Sequence, residues 1–480
     1  MPRRTKIVAT LGPATDDPDI IDRLIDAGVD VVRINLSHGS HEEHAKRADH
    51  VRNRARACGR QVGVLVDLQG PKIRCGAFAG GPVQLAEGDT FTLDVDYPID
   101  QGNREIVGCT YKQLPIDLNR GDTLMVNDGK IVLWVDQVDG SKVICKVKVG
   151  GELSDNKGIN KQGGGLSAPA LTDKDVSDIA FAAEIEADYL AVSFVRSAED
   201  IHRAREMLTE ADGRAAIVAK VERAEAIEAI DEIIDATDVI MVARGDLGVE
   251  LGDAELPAVQ KMLIRRTRAK NKVVITATQM MESMIDNPSP TREEVFDVAN
   301  AVLDGTDAVM LSGETAVGKH PAKVIQSMAR ICVEAEKQVT AMQSSHRLHT
   351  EFGRVDEAIA MASMYTANHL GVAAIASLTE SGSTALWMSR ISSGIPIYAM
   401  TEHVATRRRV TLYRGVYPIS FQPTESDSQR INQEVVEELL RRGAVRDGDL
   451  VIITKGDFQG IPGGTNVMKI LRVGEHILPD

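Results

Sequence analysis

Short apolar runs alternate with amphipathic segments along most of the chain. The segments between the runs, such as 223–237 and 291–305, place apolar residues at helical spacing. Near-continuous apolar strands that alternate with helices are typical of a parallel sheet covered on both faces. Eight repeats of this unit predict a (β/α)₈ TIM barrel rather than an open sheet. The eight runs lie at 6–12, 29–37, 61–70, 187–194, 215–222, 238–246, 272–280 and 307–315.

Two regions depart from this repeat. Residues 70–169 alternate apolar and polar positions, and the turns at 127–129 and 139–140 are typical of β-hairpins. The pattern predicts a β-barrel domain inserted in a loop of the TIM barrel, where it can close as a lid. The predicted domains are a catalytic barrel at 1–69 and 170–345, the lid at 70–169, and a C-terminal α/β regulatory domain at 346–480.

Charge and composition narrow the environment of the protein. A formal net charge of −15 argues against nucleic acid and membranes as partners, because both are negatively charged and attract basic protein surfaces. No apolar run reaches the length of a membrane span, and the N-terminal apolar stretch is too short for a signal peptide. The five cysteines are scattered, which is typical of a reducing compartment. These features predict a cytoplasmic protein.

Polar side chains follow several of the predicted strands, at the carboxyl ends where barrel enzymes carry their reactive groups. A single residue of this kind is more often a surface ion pair or a helix cap. Acids, cations and hydroxyls that converge from several strands favour an active site instead. They are Arg33, Asn35, Ser37, Asp67, Lys220, Glu222, Arg244, Asp246, Thr278, Ser312 and Glu314.

Glu222 and Asp246 end neighbouring predicted strands and are the best candidate metal ligands. Two carboxylates suit Mg²⁺ or Mn²⁺, which prefer oxygen and keep positions open for substrate. Lys220 lies two residues before Glu222, so both side chains point to the same side of the strand. Two nearby acids keep an amine charged, which favours stabilisation of negative charge over Schiff-base chemistry. A class I aldolase lysine is the alternative interpretation.

Motifs spread over the whole chain resemble those of pyruvate kinase. Among them are "VVRINLSHGS" (31–40), "DLQGPKIR" (67–74), "IVAKVERAEA" (217–226), "VARGDLGVE" (242–250) and "ITATQMMESM" (275–284). The resemblance is to the bacterial form, which lacks the N-terminal segment of animal enzymes. It implies transfer of the phosphoryl group of phosphoenolpyruvate to ADP, giving pyruvate and ATP in the last step of glycolysis.

The resemblance also implies roles for the residues at the strand ends. Lys220 supports the phosphoryl group in flight and Arg33 reaches it, while Glu222 and Asp246 hold the Mg²⁺ or Mn²⁺ ion. These groups provide the positioning and charge neutralisation that phosphoryl transfer requires.

The substrate carboxylate has its own implied partners. The backbone N–H groups of Gly245 and Asp246, at the start of a helix, receive it together with the Thr278 hydroxyl. Thr278 and Ser312 are both candidates for relaying a proton to the enolate, and the sequence does not choose between them. The positions that attend ADP or ATP and its second magnesium are Arg74, Lys157, His38, Asn35 and Asp128.

In the C-terminal domain, a predicted strand runs into Ser381-Gly382-Ser383-Thr384 and then a helix, which is typical of a phosphate site. Simple helix capping is the alternative. The resemblance implies an allosteric effector here, bound by Thr379 and residues 381–384 near the glycine-rich loop 455–464. AMP or a sugar monophosphate is favoured over fructose 1,6-bisphosphate. A homotetramer is usual in the family.

The resemblance implies a potassium site formed by Asn35, Ser37, Asp67 and the carbonyl of Leu68. Members that require K⁺ mostly have a glutamate where this chain has Lys72, so the ammonium group of Lys72 can replace the ion. A solvated lysine in the hinge that Gly70-Pro71 opens is the alternative.

Two other functions stay open at this point. A metal-dependent aldolase that forms a pyruvate enolate would share the barrel and the magnesium, but it has no use for a lid. A non-catalytic metabolite sensor would be expected to have lost Lys220 or one of the acids.

Overall fold

The computed structural model describes residues 2–338, 351–425, 427–457 and 463–475. The chain begins with three parallel strands, and a helix follows each of the first two. Ser40 caps the second helix and exchanges hydrogen bonds with Glu43 in a capping box. These elements are β1 (Lys6–Thr10), α1 (Pro18–Asp26), β2 (Val31–Asn35), α2 (His41–Ala57) and β3 (Gly63–Asp67).

A separate β domain follows β3. Its main part is a curled six-stranded sheet in the order β11-β7-β8-β9-β5-β6, with β10 and β4 paired beside it. Asn127 and Asp128 take left-handed φ angles in the turn between β7 and β8, as the predicted hairpin requires. The elements are β4 (Val83–Leu85), β5 (Thr90–Asp94), β6 (Ile106–Gly108), α3 (Leu114–Asp117), β7 (Thr123–Val126), β8 (Ile131–Asp139), β9 (Lys142–Val149), β10 (Gly151–Leu153) and β11 (Ile159–Lys161).

Five more parallel strands complete the barrel, which closes in the order β1-β16-β15-β14-β13-β12-β3-β2. This confirms the predicted TIM barrel with an inserted domain. The strands are β12 (Tyr189–Val192), β13 (Ala216–Val221), β14 (Val239–Ala243), β15 (Val273–Ala277) and β16 (Ala308–Leu311). The helices are α4 (Asp173–Glu184), α5 (Ala198–Glu210), α6 (Glu225–Glu228), α7 (Ile230–Ala236), α8 (Arg244–Leu251), α9 (Leu256–Ala269), α10 (Arg292–Asp304), α11 (Gly313–Ala316) and α12 (Pro321–Ala335).

The C-terminal α/β domain is confirmed as well. Its sheet has the order β19-β18-β17-β20-β21, and only the pair β20 and β21 is antiparallel. The elements are α13 (Val355–Leu370), β17 (Ala374–Leu378), α14 (Ser383–Ser389), β18 (Ile397–Thr401), α15 (Val404–Arg409), β19 (Val416–Ser420), α16 (Ser428–Arg441), β20 (Leu450–Gly456) and β21 (Thr465–Arg472). Short 3₁₀ turns lie at Pro13–Thr15, Glu282–Ile285 and Val410–Leu412.

The C-terminal domain packs against the amino ends of the barrel strands. Arg390, which is fully buried, donates from Nη1 to Asp307 at 2.9 Å and to the Lys272 carbonyl at 2.6 Å. An effector bound in this domain would therefore act from the face of the barrel opposite the strand carboxyl ends. The domain boundaries at 69/70 and 169/170 stay predictions, and that at 345/346 lies outside the described residues. Within the described part of the chain, no helix is long and apolar enough to cross a bilayer.

Candidate active site

Lys220, near the end of β13, lies at the centre of a cluster at the carboxyl ends of the barrel strands. Its Nζ lies 2.9 Å from Glu222 Oε1 and 3.2 Å from Asp67 Oδ1, and it donates to Ser193 Oγ at 2.6 Å. Alternation along the strand puts Lys220 and Glu222 on the same side, as the sequence predicts. Asp67 arrives from β3, so parallel strands bring together groups that are far apart in the chain.

The charges in this cluster support one another. Burial alone would lower the pKa of Lys220, but the carboxylates of Asp67 and Glu222 outweigh it and raise that pKa above its ordinary value. Burial would raise the pKa of Asp67, but Lys220 and Arg33 lower it below its ordinary value. The amine is thus held as an ammonium, which suits stabilisation of negative charge and not a Schiff base.

Arg33 joins the cluster from β2. Its Nε donates to Asp67 Oδ2 at 2.6 Å, and its Nη1 donates to Thr10 Oγ1 at 3.1 Å. Asp67 is completely buried between Arg33 and Lys220, so it orients both cations. This explains why a buried apolar strand ends in an acid.

Glu222 directly follows β13, and Asp246 lies in the first turn of α8, which follows the neighbouring strand β14. The two carboxylates are close enough for their negative charges to interact. Burial raises the pKa of Glu222, Lys220 opposes the shift, and the nearby charges of Asp246 and Asp67 add to it. A bound divalent cation would relieve this repulsion, so the pair fits Mg²⁺ or Mn²⁺. Among the described residues, no three His, Cys, Asp or Glu side chains converge on one point. Two carboxylates would leave most coordination positions to substrate and water.

Thr278 follows β15 in a strained backbone conformation. Its φ is +68°, and that of Gln279 is +52°, in the left-handed region that non-glycine residues seldom adopt. Arg244 supports this turn by donating to the Thr278 carbonyl at 2.7 Å and to Asp297 at 2.7 Å. The polar end of Arg244 thus holds the turn in place.

The predicted carboxylate site at Gly245 is already engaged within the protein. The Gly245 N–H donates to Thr278 Oγ1 at 2.8 Å, and that hydroxyl donates to the Ala277 carbonyl at 2.7 Å. Two of the three predicted partners of the carboxylate, Gly245 and Thr278, are therefore brought together, and the N–H of Asp246 follows next in the chain. A substrate carboxylate would have to replace this contact or share it.

Ser312 directly follows β16, and Glu314 lies in α11. Glu314 accepts from the backbone N–H of Ser312 at 2.6 Å and from that of Met281 at 3.2 Å. Glu314 thus connects the loop after β15 to the loop after β16, both at the carboxyl ends of the barrel strands. No hydrogen bond connects the Ser312 hydroxyl to Lys220 among the described residues.

The predicted nucleotide residues lie on two domains. On the lid, Arg74 Nη1 donates to the Asn156 carbonyl at 2.8 Å, next to Lys157, while Asp128 is exposed in its turn. On the barrel, His38 is exposed beyond β2. The structure therefore places Arg74 close to Lys157 on the lid, and His38 on the barrel.

The predicted potassium residues gather at the ends of β2 and β3. Asn35 Oδ1 accepts from the Ser37 N–H at 3.2 Å, and the Leu68 carbonyl accepts from Ser193 Oγ at 2.7 Å. Lys72 instead lies in the cleft under the lid, where a β-carbon on Gly158 would meet its Cε at 3.7 Å. That cleft is also lined by Asp246.

Two residues of the cluster carry no motif and were not predicted. Ser193 follows β12 and bonds to Lys220, and Thr10 ends β1 and bonds to Arg33. Both stand at strand ends, so the same positional rule that identified Lys220 and Asp67 could have found them.

The structure divides the predicted effector residues between two cavities. Thr379, Ser383 and Thr384 line a cavity of about 310 Å³ together with Lys455. Ser381 instead faces a cavity of about 320 Å³ between the barrel and the C-terminal domain, which Ser383 also lines. Residues 458–462 of the glycine-rich loop lie outside the described residues. Gly382 has a φ of +84° and begins α14, which has only seven residues.

Comparison with known proteins agrees with the motifs. The family model for the barrel domain of pyruvate kinase matches residues 2–325, and the model for its α/β domain matches residues 357–471. Pyruvate kinase II of Salmonella typhimurium is 56% identical over 475 residues, which cover 98% of this chain and 99% of that protein. The pyruvate kinase of Haemophilus influenzae is 53% identical, over 98% of this chain and 99% of that protein.

A less similar relative also aligns over nearly the whole chain. The pyruvate kinase of Mycobacterium tuberculosis is 43% identical over 99% of both chains. These matches decide against the aldolase and the sensor. The chain therefore belongs to the pyruvate kinase family, the phosphotransferases of glycolysis that form pyruvate and ATP from phosphoenolpyruvate and ADP.

Proposed function

We propose that phosphoryl transfer takes place at the cluster around Lys220. The observation that carries this assignment is the buried ammonium of Lys220, held charged between Asp67 and Glu222. Negative charge moves between oxygens during the transfer, and a preorganised cation in a buried site stabilises it strongly. Arg33, fixed by Asp67, supplies a second cation at the edge of the cluster.

Glu222 and Asp246 are the carboxylates that would hold Mg²⁺ or Mn²⁺. The bound ion supplies neutralisation of negative charge on the substrate oxygens. Phe194 positions Glu222, because its backbone N–H donates to Glu222 Oε2 at 2.8 Å. The other carboxylate oxygen, Oε1, faces Lys220.

Thr278 and Gly245 are assigned to the substrate carboxylate and to the proton. The Thr278 hydroxyl bonds directly to the Gly245 N–H, so it lies where the carboxylate and the neighbouring enolate would bind. We favour Thr278 over Ser312 for the proton relay, because the Thr278 hydroxyl bonds to Gly245 next to Asp246, whereas within the described residues no hydrogen bond connects the Ser312 hydroxyl to Lys220. The lid residues Arg74, Lys157 and Asp128, with Asn35 and His38 below them, are assigned to the nucleotide.

ATP formation from phosphoenolpyruvate and ADP tests the assignment. The purified protein is assayed with Mg²⁺, with Mn²⁺, and with a chelator in place of either ion. We expect activity with both ions and none with the chelator. Absence of ATP formation with both ions would overturn the assignment.

Glu222→Gln is expected to raise the divalent-ion concentration needed for half-maximal activity by about tenfold or more, because one charged ligand is lost. Excess Mn²⁺ should restore part of the turnover. Glu314→Gln is the matched control, since Glu314 is also a buried acid at a strand end but binds only backbone N–H groups. An unchanged metal dependence in Glu222→Gln would remove Glu222 from the metal site.

The cavity of about 310 Å³ in the C-terminal domain is assigned to a phosphorylated effector. Thr379, Ser383 and Thr384 line it together with Lys455, so it offers hydroxyl donors and one cation to an anion. Glu380 and Glu402 also line the cavity, so the phosphate would have to bind on the side of the hydroxyls and Lys455. AMP or a sugar monophosphate is the favoured effector. Sigmoidal kinetics with phosphoenolpyruvate, relieved by the effector, are expected.

Ser383→Asp is expected to abolish activation by AMP or a sugar monophosphate, because a carboxylate in this cavity repels the phosphate. Activity at saturating phosphoenolpyruvate should persist. Activation is followed in the ATP assay, with Ser420→Asp as the control, because Ser420 is an exposed serine at the end of β19 that does not line this cavity. Full activation of Ser383→Asp would place the effector elsewhere.

The assembly and location rest on the family alone. We propose a homotetramer in the cytoplasm. Light scattering of the purified protein measures the number of subunits, and a monomer at micromolar concentration would contradict the proposal.

A further inference from the structure

The lid rejoins the barrel through three consecutive glycines with unusual backbone angles. Gly163, Gly164 and Gly165 have φ values of +81°, +77° and +93°. Only glycine adopts such angles without steric cost. We call residues 163–166 the return hinge.

The loop after β13 holds the return hinge at two points. Glu225 Oε1 accepts a hydrogen bond from the Gly165 N–H, and Arg223 Nη1 donates to the Leu166 carbonyl at 3.0 Å. Arg223 and Glu225 directly follow Glu222 in the chain. We call these two contacts the hinge latch.

Arg223 also connects the return hinge to the proposed metal site. Its guanidinium carbon lies 5.4 Å from the centre of the Phe194 ring, and the Phe194 N–H donates to Glu222 Oε2 at 2.8 Å. Arg223 is only 4% exposed, so packing fixes its position. A shift of Arg223 would therefore be felt at the carboxylate of Glu222.

Helix α8 provides a second connection. The Gly163 N–H donates to the Glu250 carbonyl at 3.0 Å, and Glu250 Oε2 accepts from the Ala224 N–H at 2.9 Å. Asp246, the other proposed metal carboxylate, lies one turn earlier in α8. The return hinge is thus tied to both elements that carry these acids.

Gly164 fits against Glu225 with no space to spare. A β-carbon on Gly164 would lie 2.5 Å from Glu225 Oε2 and 2.6 Å from its carboxyl carbon. Glu225 Oε2 is buried and has no hydrogen-bond partner within the described structure.

We propose that Arg223 and Glu225 are positioning residues that set the angle of the lid over the metal carboxylates. The hinge latch brings the nucleotide-bearing lid into register with Glu222 and Asp246, from one wall of the cleft that Asp246 also lines. The proposal rests on the assignment of the metal to Glu222 and Asp246 and of the nucleotide to the lid. Loss of the hinge latch should therefore affect the use of ADP far more than the binding of phosphoenolpyruvate.

Two glycine substitutions provide a matched test. Gly163→Ala and Gly164→Ala introduce the same methyl group at nearly equal φ, but a β-carbon on Gly163 would have no atom within 4 Å. Only Gly164→Ala pushes against Glu225. We expect kcat/KM for ADP to fall in Gly164→Ala by about ten- to a hundredfold relative to Gly163→Ala, since misplacements near 1 Å have such effects. KM for phosphoenolpyruvate should change by less than about twofold in both.

Combining substitutions separates the hinge latch from general damage. In Gly164→Ala/Glu225→Ala the collision is gone, so kcat/KM for ADP should be no lower than in Glu225→Ala alone. Glu225→Gln keeps an acceptor for the Gly165 N–H and should retain most of the activity that Glu225→Ala loses. Equal losses in Gly163→Ala and Gly164→Ala, or additive losses in the double variant, would overturn the proposal.

Amide hydrogen exchange tests the hinge latch without turnover. The peptide that covers residues 163–166 should exchange faster in Glu225→Ala, while peptides from β13 and β14 keep their protection. An unchanged hinge peptide would overturn the proposal. Failure of the proposed phosphoryl transfer would appear differently, as an inactive wild type whose hinge peptide is still protected by Glu225.

Discussion

Lys220→Met is expected to lower kcat by about three to five orders of magnitude, the range seen when a cation that stabilises a transferring phosphoryl group is lost. Methionine keeps much of the volume of the side chain but removes the charge. The ammonium of Lys220 is the buried cation between Asp67 and Glu222, so nothing else in the cluster replaces it at that point. Phosphoenolpyruvate binding should largely persist, because the charge matters most where negative charge migrates.

The measurement is kcat in the ATP assay, together with phosphoenolpyruvate binding followed by calorimetry. Lys6→Met is the matched control, because Lys6 is also a buried lysine of the barrel but stands at the start of β1 and donates to the Val416 carbonyl at 2.6 Å. Its kcat should stay within a few fold of the wild type. Near-normal turnover in Lys220→Met would remove Lys220 from the mechanism.

The barrel and its active face could be predicted because strand geometry leaves few choices. Apolar runs identified all eight strands, and the polar residues that end them had to meet at one face. The apolar runs are longer than the strands, however. Residues 29–37 contain a strand only at Val31–Asn35, and residues 61–70 only at Gly63–Asp67. At the carboxyl ends the chain leaves the sheet for the loops that carry the site.

Contacts between strands could not be read from the sequence. Ser193 bonds to Lys220 and Thr10 to Arg33 only because the barrel closes, and no local motif marks either residue. The positive φ of Thr278 is supported by Arg244, which holds the turn from the start of α8, directly after the neighbouring strand β14. Hydrogen bonds between residues that are far apart in the chain cannot be predicted from local sequence, so only the three-dimensional structure shows them.

The hydroxyls of the C-terminal domain illustrate the same limit. Ser381 and Ser383 are two residues apart and bond to each other at 3.2 Å, yet the first faces the domain junction and the second faces both cavities. Their spacing in the sequence predicts a single effector site that contains both hydroxyls. The left-handed Gly382 between them turns the chain, and so divides the set.

We expect the activity of this protein to be independent of monovalent cations. Members of the family generally need Mg²⁺ and K⁺. In this chain, Lys72 lies in the cleft between lid and barrel that Asp246 also lines. We propose that its ammonium supplies, from this cleft, the positive charge that a K⁺ ion at Asn35, Ser37, Asp67 and the Leu68 carbonyl would otherwise supply. The wild type should therefore be fully active without K⁺ or NH₄⁺.

Lys72→Glu should make activity depend on added K⁺, with kcat/KM for phosphoenolpyruvate about a hundredfold lower in its absence, as expected for loss of one charge near the reacting groups. Tetramethylammonium chloride keeps the ionic strength constant, because this ion is too large for a site built for K⁺. Lys142→Glu makes the same charge change at an exposed position on the lid and should stay independent of K⁺. Lys72→Met should lose activity without gaining a full response to K⁺, since it removes the ammonium but adds no acid. A wild type that is inactive until potassium is added would contradict the role of Lys72, and so would a Lys72→Glu variant indifferent to the ion.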